Sequence, residues 1–350
     1  MKRIRVGLVG LGLVSRSHLR GYATHPQAHV TAVCDTDAEK AERFAQEHGI
    51  DQVYTSYTDL LAQAEIDLVD IGTPTDLHAP MALQAARAGK HIHCEKPFCR
   101  STGEGLEVCR AVEVHGVKLV VGETYVFLSS LMKARALIED GAIGRPLQIR
   151  QRHGAWHARP DAAVYSGPAS RNWRLDPHRS GGGAYPWIFD HAVHFFATAE
   201  YLTLDQRIAA VHAVASKSQA SGQTGADHDP YVMAEMDIPI ITWSYTDPAY
   251  QGVWMRAEPL NGKYDFMRGF STTVAGESGL LEVLGEGGHN LLWNGAQQHL
   301  LLHRRDRPTE AFRFDEGGDE IWDSDIAYYS QGHIHQVHHL LQPPWYWDQT

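Results

Sequence analysis

The first 122 residues alternate between two patterns that few folds satisfy together. Short strand-like runs occupy residues 4–9, 30–34, 68–71, 91–93 and 119–121, and helical stretches occupy 15–23, 38–48, 78–88 and 102–115. The runs are short and near-continuous, as expected of strands buried on both faces. Strands of that kind, each followed by a helix, predict a parallel sheet covered on both sides, the doubly wound α/β arrangement. Glycine follows three of the helical runs, at His48-Gly49, Ala88-Gly89 and His115-Gly116. There a residue in the left-handed conformation closes a helix.

After Gly122 the pattern changes. One helix is expected over 130–140, ending at Gly141, and then strands follow one another at 147–153, 208–215, 232–237, 240–246, 272–274 and 280–284. Runs of strands with segregated helices predict an α+β domain with a large, mostly antiparallel, open-faced sheet. With 350 residues, more than one hydrophobic core usually organises, the division expected is a dinucleotide-type domain over 1–122 and a second domain over 123–350. One face of the second sheet is expected under a helix, and the other against a second copy, as a homodimer or homotetramer. Residues 216–229 read as a polar loop.

Composition removes several classes of function. Lys+Arg 31 against Asp+Glu 42 leaves a net charge of −11, a poor match to a polyphosphate, so no nucleic-acid partner is expected. No apolar stretch approaches the roughly 18 residues that span a bilayer, so no membrane partner is expected either. The start, Met1-Lys2-Arg3, runs into a glycine-broken segment too short for a secretory leader. Cys34, Cys94, Cys99 and Cys109 are too few for a disulfide scaffold. Together these features point to the cytoplasm.

The segment Gly10-Leu11-Gly12-Leu13-Val14-Ser15 follows the first strand and opens a helix. Gly10 permits the tight turn. Gly12 lets backbone approach a pyrophosphate at the helix N-terminus, where free N–H groups favour an anion. Ser15 replaces the third glycine, a position that needs only a small residue. Asp35 ends the second strand, where a carboxylate accepts hydrogen bonds from the adenosine ribose and repels a 2′-phosphate. NAD is the expected cofactor. Asp37 is available to cap the helix that follows.

Glu95-Lys96-Pro97 follows the strand at 91–93, which puts Lys96 at the edge of the sheet where ligands bind. With Gly10–Ser15, Thr73-Pro74 and His78 before it, and with the stretch "GTPTDLHAPMALQAARAGKHIHCEKP", the chain resembles the glucose-fructose oxidoreductase / inositol dehydrogenase / rhizopine catabolism (Gfo/Idh/MocA) family over nearly its whole length. Thr75 stands where that family usually has Asn. The resemblance implies a nicotinamide-dependent oxidoreductase acting on sugars or cyclitols, in which Gly10, Gly12, Leu13, Val14, Asp35, Thr73, Pro74, His78, Glu95 and Lys96 line the cofactor. It also implies a D-x-G-x-H signature, carried here by Asp190 and His194 in "GGGAYPWIFDHAVHFF", with Ala192 in place of glycine. A shorter-gap alignment would place His191 on the family histidine and Trp187 on the aspartate, at the loss of the carboxylate. Many members of the family carry a further helix where this chain runs Gln342–Thr350.

The chemistry calls for these residue types. Oxidising a secondary alcohol removes a hydride from carbon and a proton from oxygen. Histidine, with an ordinary pKa of about 6.5, is the side chain best suited to take that proton. Lys96 can stabilise the developing negative charge on oxygen, or serve as the base itself if burial lowers its pKa. Asp190 and His194, four residues apart, share a helical face, so Asp190 can bind a neighbouring hydroxyl. The expected catalytic residues are Lys96, Asp190 and His194. Arg152, His153, Trp173 and Arg174 crowd the segment before the glycine cluster. Trp faces stack on sugar rings and Arg forks bind hydroxyls or acids, which suggests a substrate that carries an anionic group. Tyr125 and His191 complete the expected substrate contacts. The chain has 22 histidines, and His335, His338 and His339 are spaced to share a face of a C-terminal helix. Because no HExxH or paired-cysteine motif accompanies them, no metal is expected. Two rival functions stand beside this one: a glycoside-cleaving enzyme that uses the same site to oxidise and re-reduce the sugar transiently on NAD, and a non-catalytic dinucleotide sensor, against which the joint presence of Lys96, Asp190 and His194 argues.

Overall fold

The computed structural model describes residues 3–154, 173, 176–183, 186–219, 235–257, 271–284, 298–314 and 330–341. The chain divides into two units: residues 1–124, 176–190 and 329–350, and residues 125–175 and 191–328.

The first unit runs β1 (Ile4–Val9), α1 (Leu13–Thr24), β2 (Ala28–Cys34), α2 (Ala38–His48), β3 (Gln52–Tyr54), α3 (Tyr57–Gln63), β4 (Leu68–Ile71), α4 (Thr75–Arg87), β5 (His91–Glu95), α5 (Thr102–His115) and β6 (Leu119–Gly122). The six strands pair in parallel in the order β3-β2-β1-β4-β5-β6. The order reverses between β1 and β4, which opens a crevice at the carboxyl ends of the strands. The strand interiors supply both cores. Val9, Val69, Ile71 and Ile92 pack with Ala82 and Ala85 on one face, and Val6, Leu8 and Leu68 pack with Tyr22 and Phe44 on the other. Each of the Val, Leu, Ile and Phe side chains contributes about 1.5–3 kcal/mol by leaving water. Capping follows the local sequence. Asp37 accepts from the Lys40 N–H at 3.1 Å, and Gly49 and Gly116 end α2 and α5 in the left-handed region.

Beyond residue 122 three further pieces belong to this unit: α7 (Pro177–Ser180), the first turn of α8 (Pro186–Leu202) and the C-terminal helix α9 (Ser330–Leu340). A single division at 122/123 does not include this return of the chain. Its cause is apolar burial. Val337, Leu340 and Leu341 join the core of Tyr22 and Phe44. Gly21 lets α9 approach α1 closely, since a Cβ there would lie 2.8 Å from the Val337 Cβ.

The second unit holds a short 3-10 turn at Tyr125–Phe127, α6 (Ser129–Glu139) and the rest of α8. Its strands are β7 (Pro146–Gly154), β8 (Ile208–Gln219), β9 (Glu235–Tyr245), β10 (Gln251–Ala257), β11 (Ser271–Gly276), β12 (Gly279–Leu284), β13 (Gln298–Arg304) and β14 (Arg307–Phe314). They form one sheet in the order β14-β13-β12-β11-β7-β10-β9-β8, antiparallel throughout except for the β10–β7 pair. The strands expected at 232–237 and 240–246 correspond to the single strand β9, residues 232–234 lying outside the described part. Helix α6 lies against β12, β13 and β14, and Ile149, Val274, Leu281, Val283, Leu300 and Leu302 are buried. On the edge strand β8, Val211 and Val214 are exposed. No helix among the described residues is long and apolar enough to cross a membrane.

Candidate active site

Gly10 turns the chain out of β1 with φ at +81°, and a Cβ there would meet Gly72 backbone at 2.9 Å and the Thr73 Cγ2 at 2.8 Å. Gly12 stands at the N-cap of α1 in extended conformation. Among the described residues no side-chain hydrogen bond caps the helix, and none has an atom within 4 Å of where a Gly12 Cβ would be. The first N–H groups of α1, those of Leu13 and Val14, have no acceptor within the helix itself, which is what an anion site at a helix N-terminus uses. Ser15 is buried in the place of the third glycine, and its Oγ donates to the Gly12 carbonyl at 2.6 Å, so the small side chain satisfies its own hydroxyl. Val14 packs beneath Gly72.

Asp35 follows β2. Its carboxylate accepts from the Leu11 N–H at 2.9 Å and the Asp37 N–H at 3.1 Å, and pairs with the Lys40 ammonium. Partial burial pushes its pKa up, but the hydrogen bonds from Lys40, Asp37 and Leu11 more than reverse this, so it lies below the usual carboxylate value. The open helix terminus and the carboxylate beside it fit the pyrophosphate and adenosine ribose of NAD. Lys40 escaped the sequence reading, because a lysine in the first turn of a helix has no local reason to be there; only the approach of α2 to β2 explains it.

Thr73 and Pro74 follow β4, with Pro74 at the N-cap of α4. His78 lies one turn into α4 and is buried, with its ring nitrogens 2.8 Å from the carbonyl oxygens of Thr73 and Pro97. His78, expected at the cofactor, has its ring between the two loops and ties one to the other. Burial pushes its pKa down, and the carbonyls of Pro97 and Thr73 offset this only in part.

Lys96 is the first residue after β5 and precedes Pro97 through a cis peptide bond. Its ammonium donates to the Asp190 carbonyl at 3.1 Å and lies 3.4 Å from Asp190 Oδ1. Both side chains are largely enclosed. The first turn of α8 thus presents a carboxylate to the lysine of β5.

Glu95 was also expected at the cofactor. Successive side chains of a strand point to opposite faces, and Glu95 turns instead into a buried polar cluster. His18 Nδ1 lies 3.0 Å from Asp70 Oδ1, and His18 Nε2 lies 3.3 Å from Glu95 Oε1. The Tyr22 hydroxyl donates to Asp70 Oδ2 at 2.8 Å, and His93 Nδ1 lies 2.9 Å from the same oxygen. Gln336 of α9 meets His93 Nε2 at 2.9 Å. Burial pulls the His18 pKa down, but Asp70 and Glu95 outweigh it and carry the value up to about 10. Burial would raise Glu95, yet His18 holds it down at about 2. Asp70 lies well below the usual range for the same reason, with His18 and His93 beside it. The sequence reading missed this cluster, since each member stands alone in a run typical of a buried strand or helix.

In the second unit the His194 ring stacks on Tyr125, with centroids 4.0 Å apart and planes at 7°. Both residues are buried, and Phe195 meets Tyr125 edge-on. Arg152 is exposed on β7, opposite Ser271 of β11, and Trp173 is half-buried. The backbones of His153 and His191 belong to β7 and α8, but their side chains lie outside the described residues, as does Arg174.

Comparison with known proteins supports this picture. Residues 4–123 match the oxidoreductase family, NAD-binding Rossmann fold, of the Gfo/Idh/MocA group, and residues 131–282 match the C-terminal domain of that group. The 1,5-anhydro-D-fructose reductase of Ensifer adhaerens is 31% identical over 223 residues, covering 64% of this chain and 63% of the relative. The levoglucosan dehydrogenase of Pseudarthrobacter phenanthrenivorans is 32% identical over 225 residues, covering 62% and 55%. The chain therefore spans less than two thirds of these relatives' length. The aldose-aldose oxidoreductase of Caulobacter crescentus, solved with glycerol, superposes with a TM-score of 0.72 at 20% identity, covering 97% of this chain and 89% of that one, a likeness of fold. Two matched domains in order, the glycine turn with its open helix terminus, and the lysine after β5 lead to one conclusion: the chain belongs to the Gfo/Idh/MocA oxidoreductase family and carries that family's NAD-binding Rossmann domain.

Proposed function

We propose that the protein is an NAD-dependent dehydrogenase that transfers a hydride between nicotinamide and a secondary alcohol of a sugar, sugar derivative or cyclitol. The observation that carries the reading is Lys96, fixed at the carboxyl edge of β5 against Asp190. That edge also bears the turn of Gly10 and Gly12 and the carboxylate of Asp35. NAD bound along it supplies the hydride acceptor.

This chain's own residues handle the proton. Lys96 places a positive charge where alkoxide character develops on the reacting oxygen. Asp190 holds the ammonium in place and offers an acceptor to a neighbouring hydroxyl. His194, one turn further along α8, is the group suited to take the proton, and its stacking on Tyr125 restrains the ring's tilt. Arg152 and Trp173 are proposed substrate contacts, with His153, Arg174 and His191 as further candidates. An anionic substituent on the polyol would suit the arginines. We further propose that the enzyme is cytoplasmic and a homodimer or homotetramer, with the open face of the second unit's sheet against a second copy.

The test is a screen of polyols, glycosides and uronic acids for net appearance of NADH. Accumulation of NADH with one of them supports a dehydrogenase. Cleavage of a glycoside with no net NADH supports the transient-redox alternative instead. NAD binding with turnover of none of these substrate classes supports the sensor.

A further inference from the structure

The polar cluster beneath β5 plays no part in the hydride transfer proposed above. It lies wholly within the first unit and draws on four elements: His18 from α1, Asp70 from β4, His93 and Glu95 from β5, and His333 and Gln336 from α9. Every member is buried, with Glu95 the most exposed at 8%.

Two carboxylates enclosed together call for two positive charges, because low dielectric penalises any uncompensated one. Asp70 is well supplied by His18, Tyr22 and His93. Glu95 is supplied less well. Glu95 Oε1 and His18 Nε2 form an ion pair at 3.3 Å, both atoms are buried, and neither makes a well-formed hydrogen bond to a described residue. A ring nitrogen of His333 joins them, so that the three ligand atoms lie within 4.8 Å of one another.

The separation has a meaning of its own. Two ligands bound at about 2.0–2.1 Å to a tetrahedral zinc ion stand about 3.4 Å apart, close to the distance between His18 Nε2 and Glu95 Oε1. On its other nitrogen His18 meets the Asp70 carboxylate. This is the carboxylate–histidine arrangement that fixes the tautomer and orientation of a ligating imidazole. Two imidazoles and a carboxylate form a donor set for a borderline divalent ion rather than for calcium or magnesium. A charge of +2 also balances Asp70 and Glu95 together.

We propose that His18, Glu95 and His333 form a structural divalent-metal site of the zinc type, with Asp70 orienting His18, that binds the C-terminal helix to the Rossmann unit. The ion links α1, α9 and the end of β5, one residue before Lys96. The expectation of no metal rested on the lack of a local motif. These ligands come from three separate elements, so no local motif records them.

The test uses the full chain, purified with a tag free of histidine, stripped with chelator and dialysed against zinc or cobalt. One equivalent of zinc per chain by mass spectrometry, visible bands of a tetrahedral cobalt ion, and a rise in Tm on zinc addition are the expected results. His333→Ala and Glu95→Gln are expected to lower zinc affinity by at least about tenfold and to abolish the cobalt bands. His339→Ala, on the exposed side of α9, is expected to change neither. Circular dichroism and NAD binding on each variant separate loss of ligand from loss of fold. Failure of the wild-type chain to retain zinc after reloading overturns the proposal, and shows that protons alone balance the cluster. Retention of one equivalent at unchanged affinity by a folded His333→Ala variant also overturns it. None of these readouts depends on the dehydrogenase activity.

Discussion

Lys96 donates to the backbone carbonyl of Asp190, ninety-four residues further along the chain, at 3.1 Å, and lies 3.4 Å from its carboxylate. A strand end and a helix start thereby hold one lysine by a main-chain and a side-chain acceptor. The backbone acceptor is present whatever side chain stands at residue 190, so positioning and charge can be tested apart.

Lys96→Ala and His194→Ala are each expected to lower turnover by roughly 10²–10⁴-fold, with NAD affinity nearly unchanged. Asp190→Asn is expected to keep Lys96 near its place through the carbonyl and to raise KM as well as lower kcat. His191→Ala serves as the control. If it proves as damaging as expected for His194→Ala, while His194→Ala is mild, the histidine of the signature is His191. Steady-state kinetics alongside a fluorescence titration with NADH checks all four variants.

Gly10 and Gly12 separate fold from binding. Gly10→Ala places a Cβ against Gly72 backbone in a residue held at φ +81°. A left-handed alanine alone costs about 1–2 kcal/mol, so Tm should fall. Gly12→Ala meets no described residue within 4 Å and keeps an ordinary φ of −79°. Its Tm should stay near wild type while NAD affinity drops by about tenfold or more. Thermal melts with and without NAD distinguish the two.

Asp35 should make the protein favour NAD over NADP by more than about tenfold, because a 2′-phosphate would meet its carboxylate. Asp35→Ala should narrow that ratio. Lys40 is the counterweight. Its ammonium pairs with Asp35, so Lys40→Ala should widen the preference by leaving the carboxylate uncompensated. Isothermal titration with both cofactors reads each change, and equal affinities in the unaltered protein would defeat the assignment.

His91 gives a pH signature. Its Nδ1 accepts from the Lys118 N–H at 3.1 Å, which requires a ring nitrogen without a proton. Burial first, and Lys118 second, lower its pKa to about 4. A base whose folded pKa is depressed adds stability that is complete above its unfolded value, near 6.5, and lost as pH falls toward 4. Unfolding midpoints in urea should therefore decline between those limits, and His91→Asn should flatten that part of the decline.

Much of the first unit is legible in local sequence. Strand runs and helix-closing glycines are set by neighbouring residues, and so β1, α2, β4 and α5 fall at the expected positions. The strand β3 and helix α3 were not foreseen, because three and seven residues are too few to show a period. The turn of Gly10 and Gly12, the position of Asp35 and the placement of Lys96 at a strand end are likewise local matters, governed by backbone geometry and strand direction. What only tertiary structure decided depends on groups far apart in sequence. The return of α9 onto α1 rests on the fit between Gly21 and Val337. The pairing of Glu95 with a buried histidine rests on His18 of α1 reaching the end of β5. The parallel β7–β10 pair depends on which strands meet, and His78 beneath its two loops depends on how α4 lies below them. Sequence periodicity specifies which side of an element is buried, but not which buried polar group on another element it will face. That pairing is chosen when the layers close, by the cost of leaving a charge or hydrogen-bonding group uncompensated away from water.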